Sequence, residues 1–254
     1  MNTDRKSIAQ IRQEFENTAE DALETLLEQY QTDERSGVQS VLKRYRKKQE
    51  ALKQERLRLE QMRSYEHKYE EYGYICGIDE AGRGPLAGPV VAGAVILPKE
   101  CEILWLNDSK QLSEKRREAL YDEIMEKAVA VSVGMASPAR IDEINILQAT
   151  YEAMRQAVDP APDLTLNDAV TIPGVDIKQV PIIKGDAKSL SIAAASVIAK
   201  VTRDRLMKEY DLVMPQYGFA KHKGYGSAAH MEAIRKYGAS PIHRKSFIKN
   251  IEIQ

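Results

Sequence analysis

The chain offers little sulfur chemistry: two cysteines, Cys76 and Cys101, in 254 residues. Two thiols make neither a disulfide framework nor a four-thiolate zinc site. Cys76 sits in an apolar run, where a small buried thiol is expected, and a reducing, cytoplasmic setting follows. Proline is missing before Pro85, and Gly37 is the single glycine before Gly73, so the usual helix breakers are scarce over the first 72 residues. No apolar run approaches the ~18 residues that a membrane-spanning helix needs, and no membrane partner is expected. The polar start carries no recognisable secretory leader. Net charge is also scarce, at −1.

That small net charge conceals an asymmetry. Between Lys184 and Lys249 there are 13 Lys or Arg against 5 Asp or Glu. A second basic run holds Lys43, Arg44, Arg46, Lys47, Lys48, Lys53, Arg56 and Arg58, interrupted by Glu50 and Glu55. Basic faces on a near-neutral chain suit a polyanionic partner, although a charged run also suits a solvated helix face. Apolar residues make up 43% of the chain, enough for a substantial core.

Helical spacing links Ile8, Ile11, Phe15, Ala19, Ala22, Leu26 and Tyr30. After a polar break over 31–37, a second run through Val38, Val41, Leu42, Tyr45, Leu52, Leu59 and Met62 predicts a helix of about 30 residues, ~45 Å long. Residues 1–72 thus form a helical N-terminal extension, with a boundary near Tyr72–Gly73. From there strands are predicted at 74–78, 90–97, 129–135, 164–170 and 180–183. Helices are predicted at 112–127, 141–158, 189–210 and 227–237. This order describes an α/β domain over 73–254, a mixed sheet covered by helices.

The sharpest local feature is Gly77-Ile78-Asp79-Glu80-Ala81-Gly82-Arg83-Gly84-Pro85. An apolar strand ends in two carboxylates and runs straight into a glycine-rich turn. Ligands of α/β sheets gather beyond the carboxyl ends of strands. Asp168, in or at the end of a strand, and Asp186, between a strand and a helix, occupy similar settings. Each acid alone has a plainer role: a turn for Asp79-Glu80, a helix cap for Asp186, an exposed strand position for Asp168. Together they differ. Two carboxylates about 4 Å apart repel by about 4 kcal/mol at an effective dielectric of about 20. Four in one cleft must take up protons or bind cations. All-oxygen ligands favour Mg²⁺ or Mn²⁺, and a two-ion site suits in-line displacement at phosphorus.

The surrounding residues fit a nucleic-acid backbone. Gly82 and Gly84 permit close backbone approach, and Arg83 can pair with phosphate. Lys110, Lys184 and Lys188 lie in polar segments near the acids and can do the same. Tyr225, within Lys221-His222-Lys223-Gly224-Tyr225-Gly226, can stack on a sugar or base. The plainer alternatives are a tight turn and a basic surface loop. His243-Arg244-Lys245 adds a basic segment near the C-terminus. Neither His222 nor His243 has a second histidine at zinc spacing.

The run Gly77–Val90 resembles the signature of the ribonuclease HII (type 2 ribonuclease H) family. In order along the chain, residues 107–110 (NDSK), 183–187 (IKGDA), 191–196 (SIAAAS), 199–204 (AKVTRD), 223–226 (KGYG) and 243–247 (HRKSF) resemble it too. The resemblance spans the chain from Tyr72 onward. It implies a ribonuclease H-like fold, a five-stranded mixed sheet flanked by helices. It implies that Asp79, Glu80, Asp168 and Asp186 are the catalytic and metal-binding acids, that Gly82, Arg83 and Gly84 sense the 2′-hydroxyl, and that Tyr225 packs at the RNA–DNA junction. The implied substrates are RNA–DNA hybrids and duplex DNA carrying single ribonucleotides, cut to leave a 5′-phosphate. One departure stands out: Asn167 precedes the third acid where the family carries an apolar residue, which puts the packing of that strand in question. The N-terminal 72 residues lie outside the core pattern, and their expected role is duplex binding or partner contact. An ATPase of the actin and sugar-kinase type also opens on Gly-Ile-Asp, but it needs a repeated domain and a second phosphate loop that this chain lacks. A non-catalytic duplex-binding module is the other rival.

Overall fold

Strand alternation and one close helix contact position everything that matters for the site. The structure, a computed structural model, describes residues 6–158 and 161–251. Its contacts divide the chain into two units, one ending at Arg58 and the other starting at Leu59. The division falls upstream of Tyr72–Gly73 because Leu59 and Met62 are buried in the core of the second unit.

The first unit holds helices α1 (Ile8–Asn17), α2 (Leu23–Tyr30) and most of α3 (Ser36–Met62). The apolar spacing that suggested one helical run from Ile8 to Tyr30 hides a break. Thr18 is extended (φ −82°, ψ 130°), and its hydroxyl donates to the Glu14 carbonyl. The break lets Leu23, Leu26 and Leu27 of α2 share one cluster with Ile11 and Phe15 of α1. Periodicity continues in phase across it and so cannot reveal it.

In the second unit, α4 (Ser64–Lys68) precedes five strands: β1 (Ile75–Ala81), β2 (Val90–Ile96), β3 (Ala130–Ala136), β4 (Leu164–Asp168) and β5 (Lys178–Ile182). They form the expected mixed sheet in the order β3-β2-β1-β4-β5. β1 runs antiparallel to β2 and parallel to β4, and β4 runs parallel to β5. Helices α5 (Glu114–Lys127) and α7 (Leu190–Val213) share one core cluster with Val95. Helix α6 (Pro138–Ala157) packs on the opposite face, against Cys76, Ile78, Ala92 and Ala94. Helices α8 (Phe219–His222) and α9 (Ala228–Tyr237) follow. Ser113, Ser189 and Ser227 cap α5, α7 and α9 with their side chains, each closing an otherwise orphaned amide.

Helix α7 approaches the sheet very closely. A Cβ on Gly77 would collide with the Ser191 backbone, and one on Gly93 with the Ala195 carbonyl. The alanines at 193–195 and these two glycines are therefore one packing device. In the late, charged part of α7, Arg203 and Asp204 are buried. Strand β4 also differs from expectation. It stops at Asp168 rather than reaching Val170, because Ala169 adopts a left-handed conformation (φ 56°). Asn167 is fully buried, and its amide donates to the Val170 carbonyl and to Gln179. Gln179 in turn bonds the backbone of Ile172, so a local amide network satisfies the Asn167 NH2 group inside the sheet, while its buried Oδ1 has no partner among the described residues. No helix among the described residues is long and apolar enough to cross a membrane.

Candidate active site

The register brings the acids together. Ile78 pairs with Asn167 on parallel neighbours, so Asp79 and Asp168 follow at the carboxyl ends of adjacent strands, about 4.8 Å apart across the ladder. Alternation places Asp79 on the face of Gly77 and Asp168 on the face of Leu166, and both of these face α7. Asp186 sits in the short turn Gly185–Ala187 between β5 and α7. It does not cap α7, since Ser189 does. The Gly185 amide donates to Asp168 at 2.7 Å. Glu80 takes the other side of β1 and lies 3.4 Å from Arg83.

The electrostatics show strain between like charges. Burial pushes the Asp79 carboxyl well above the usual range, and Glu80 and Asp168 push it further. Glu80 is raised by burial, against the pull of Arg83. Asp186 is raised by burial, by Asp108 and by Asp168. Lys110 reaches within 3.9 Å of Asp186. Burial opposes its charge, but Asp79, Asp108 and Asp186 more than offset this and hold its pKa above normal. One exposed ammonium cannot neutralise this many carboxylates. The acids therefore lie within range of mutual repulsion. They do not stand as a finished cage, however: among the described residues no three carboxyl, imidazole or thiol groups converge as ligands of one ion. The donor set itself fits a hard divalent cation. It is all oxygen, and Asp79 is buried with no ion-pair partner among the described residues.

Next to the acids, the turn 82–88 and the loop 223–226 are joined. The Leu86 amide donates to the Gly224 carbonyl, and Gly84 packs near the Tyr225 ring. Arg83, Gly84 and Tyr225 are exposed, as are Lys184 and Lys188. Gly82, also expected as a contact, is buried against Arg203. Two cations that the sequence suggested as surface charge are instead interior. Arg203 donates to the carbonyls of Pro89, Lys223 and Ala87. Arg244 donates to those of Gly82, Arg83 and Gly88.

Three histidines that no sequence spacing linked also meet here. His230 Nδ1 contacts the Tyr225 carbonyl, and its Nε2 lies 3.0 Å from His243 Nε2. His243 Nδ1 accepts from the Ser240 amide. The chain of bonds admits one assignment: His230 carries its proton on Nδ1, His243 carries its own on Nε2, and both are neutral. His222 stacks on His230, and its two nitrogens bond the Tyr217 carbonyl and the Gly224 amide. With every ring nitrogen engaged, this cluster is a scaffold for the loop, not a metal site. Sequence reasoning places Asp108, Arg203 and Arg244 only within longer segments and gives them no part in the site, and it misses His230. Only Asp108, two places before Lys110 in a polar loop, carried a local hint.

The sheet order and the helices on its two faces define a ribonuclease H-like hydrolase. The family model described as Ribonuclease HII matches residues 76–250, and that described as Ribonuclease HII N-terminal domain matches residues 7–70. A ribonuclease HII from Lachnoclostridium phytofermentans is 64% identical over 247 residues, covering 96% of this chain and 97% of its own. One from Clostridioides difficile is 51% identical, covering 97% and 98%. The crystal structure of ribonuclease H2 from Pyrococcus horikoshii superposes with a TM-score of 0.59 at 29% identity, covering 71% of this chain and 97% of that one. The chain belongs to the ribonuclease HII family and is an endoribonuclease of the ribonuclease H class.

Proposed function

We propose that the chain cleaves the RNA strand of RNA–DNA hybrids, and DNA strands at single embedded ribonucleotides, leaving 5′-phosphate and 3′-hydroxyl ends. The observation that carries this reading is the placement of Asp79 and Asp168 on adjacent parallel strand ends with Asp186 close enough to raise the Asp79 carboxyl, beside a turn whose Arg83 and Gly84 are exposed. Asp79, Glu80, Asp168 and Asp186 would hold two Mg²⁺ or Mn²⁺ ions. Bound there, such ions lower the pKa of the attacking water and stabilise the departing oxygen.

The chain's own groups supply position. Arg83 and the exposed Lys184 and Lys188 pair with phosphates around the cut. The Gly82–Gly84 backbone reads the 2′-hydroxyl, the one group that separates RNA from DNA at a single residue. Tyr225 stacks against the sugar beyond it. Lys110, held near Asp186, offsets acid charge and contacts a neighbouring phosphate. Residues 1–72 act as a helical extension to a catalytic domain over 73–254, with the exposed cations of 43–48 directed at duplex phosphates.

The test is incubation of the full chain with a duplex holding one ribonucleotide, with Mn²⁺ and without it. Cleavage at the ribonucleotide, lost without metal and lost in Asp79→Asn with duplex binding kept, is the expected result. Equal cutting of an all-DNA duplex, or full activity in Asp79→Asn, would contradict the reading.

A further inference from the structure

A trans peptide points its carbonyl and the following N–H in opposite directions. Whatever fixes a carbonyl therefore aims the next amide. Arg244 is fully buried and has no carboxylate within ion-pair distance among the described residues. Its guanidinium instead grips the carbonyls of Gly82, Arg83 and Gly88 together. With the Gly82 and Arg83 carbonyls drawn inward, the amides of Arg83 and Gly84 must point the other way. Both residues are exposed, and neither amide has a partner among the described residues. The turn thus shows two consecutive free donors beside the acids, an arrangement that suits an anion.

The fork geometry matters to this. A guanidinium presents donors in a rigid plane and can hold two carbonyls in fixed relation, which an ammonium cannot. Arg203 buttresses the arrangement from the other side. It ties Ala87 and Pro89 to Lys223 of the neighbouring loop, and its side chain fills the space that a Cβ on Gly82 would need. Gly82 is left-handed (φ +94°) because the turn wraps around these two cations.

We propose that Arg244 is a positioning residue for substrate recognition: by holding the Gly82 and Arg83 carbonyls inward, it presents the Arg83 and Gly84 amides to a phosphate or sugar oxygen of the nucleic acid. The assignment of that oxygen to a ribonucleotide rests on the function proposed above. The orientation of the amides does not.

The experiment uses the full chain, isotope-labelled, and Arg244→Lys. Inorganic phosphate titrated into the unsubstituted chain should shift the Arg83 and Gly84 amide resonances, and Arg244→Lys should lose most of that shift while still unfolding cooperatively. In parallel, the affinity for a ribonucleotide-bearing duplex should fall about tenfold, the scale of one charge-assisted hydrogen bond. The proposal is overturned if phosphate leaves both amides unmoved in the unsubstituted chain, or if the shifts survive in Arg244→Lys. It is equally overturned if affinity for the ribonucleotide-bearing duplex is unchanged, or if the variant no longer unfolds cooperatively, since that would make Arg244 a folding residue. An unsubstituted chain that shows no preference between the duplexes would count against the proposed substrate, and the amide shifts would still decide the role of Arg244.

Discussion

Two neighbouring regions of this molecule bury charge of opposite sign and resolve it differently. Behind the turn, Arg203 and Arg244 lie in the interior with no carboxylate in ion-pair contact among the described residues, yet backbone carbonyls accept from both guanidinium groups. Burial, with Arg203 close by, lowers Arg244 to about 9, so it stays charged at neutral pH. At the strand ends, Asp79 is equally interior but receives little more than the Glu80 amide, and its acidic neighbours add to its cost. The chain completes its cationic region with its own backbone and leaves its anionic region incomplete. That contrast separates the two regions: the first fixes a shape, and the second is the one that the proposed function has divalent cations complete.

The largest break in this comparison should come from Asp79→Asn. Under the proposed function it removes a metal ligand and several kcal/mol of transition-state stabilisation, on the order of a thousandfold in rate, and single-turnover cleavage checks it. The same variant should be more stable than the parent in chelator at neutral pH. A carboxyl whose pKa is raised by folding stabilises only while it is protonated, and that stability is lost as pH rises through the raised value. Thermal melting in chelator measures the gain.

The cationic region breaks in the opposite direction. Arg203→Met leaves three interior carbonyls without donors and should cost roughly 3–5 kcal/mol of stability, read by denaturant unfolding. A smaller effect comes from the histidine chain under the loop. Burial, with His230 adjacent, lowers His243 from 6.5 to about 4. The unfolded chain therefore takes up a proton first, and stability present above pH 6.5 should drain as pH falls toward 4, by roughly 3 kcal/mol in all. Melting temperature measured from pH 7.5 down to 4 checks this. Smallest is Ser227→Ala, which removes the α9 cap that accepts from the His230 amide. It should cost about 1 kcal/mol without changing cleavage.

The anionic region was more legible in the sequence than the cationic one, for a physical reason. A strand end is a local pattern, so Asp79-Glu80 before a glycine turn, and Asp186 between strand and helix, could be read one segment at a time. Arg203 and Arg244 were not. A charged residue late in a helix or in a basic segment looks solvated, and only the three-dimensional gathering of carbonyls from 82–89 and 223 makes burial tolerable. The histidine chain was missed because spacing rules compare positions along one helix or loop, whereas His230 and His243 meet from different segments. Ala169 gave no sign of ending β4, since alanine rarely takes a left-handed conformation. The break at Thr18 was invisible because the apolar repeat continues through it.

The central claim is that the strand-end acids are finished by divalent cations. The most direct measurement is the melting temperature of the unsubstituted chain and of Asp168→Asn, each titrated with Mn²⁺ from a chelated start. A saturable rise in the parent that is lost or much weakened in Asp168→Asn is predicted. An equal rise in both proteins, or none in the parent, would contradict the account.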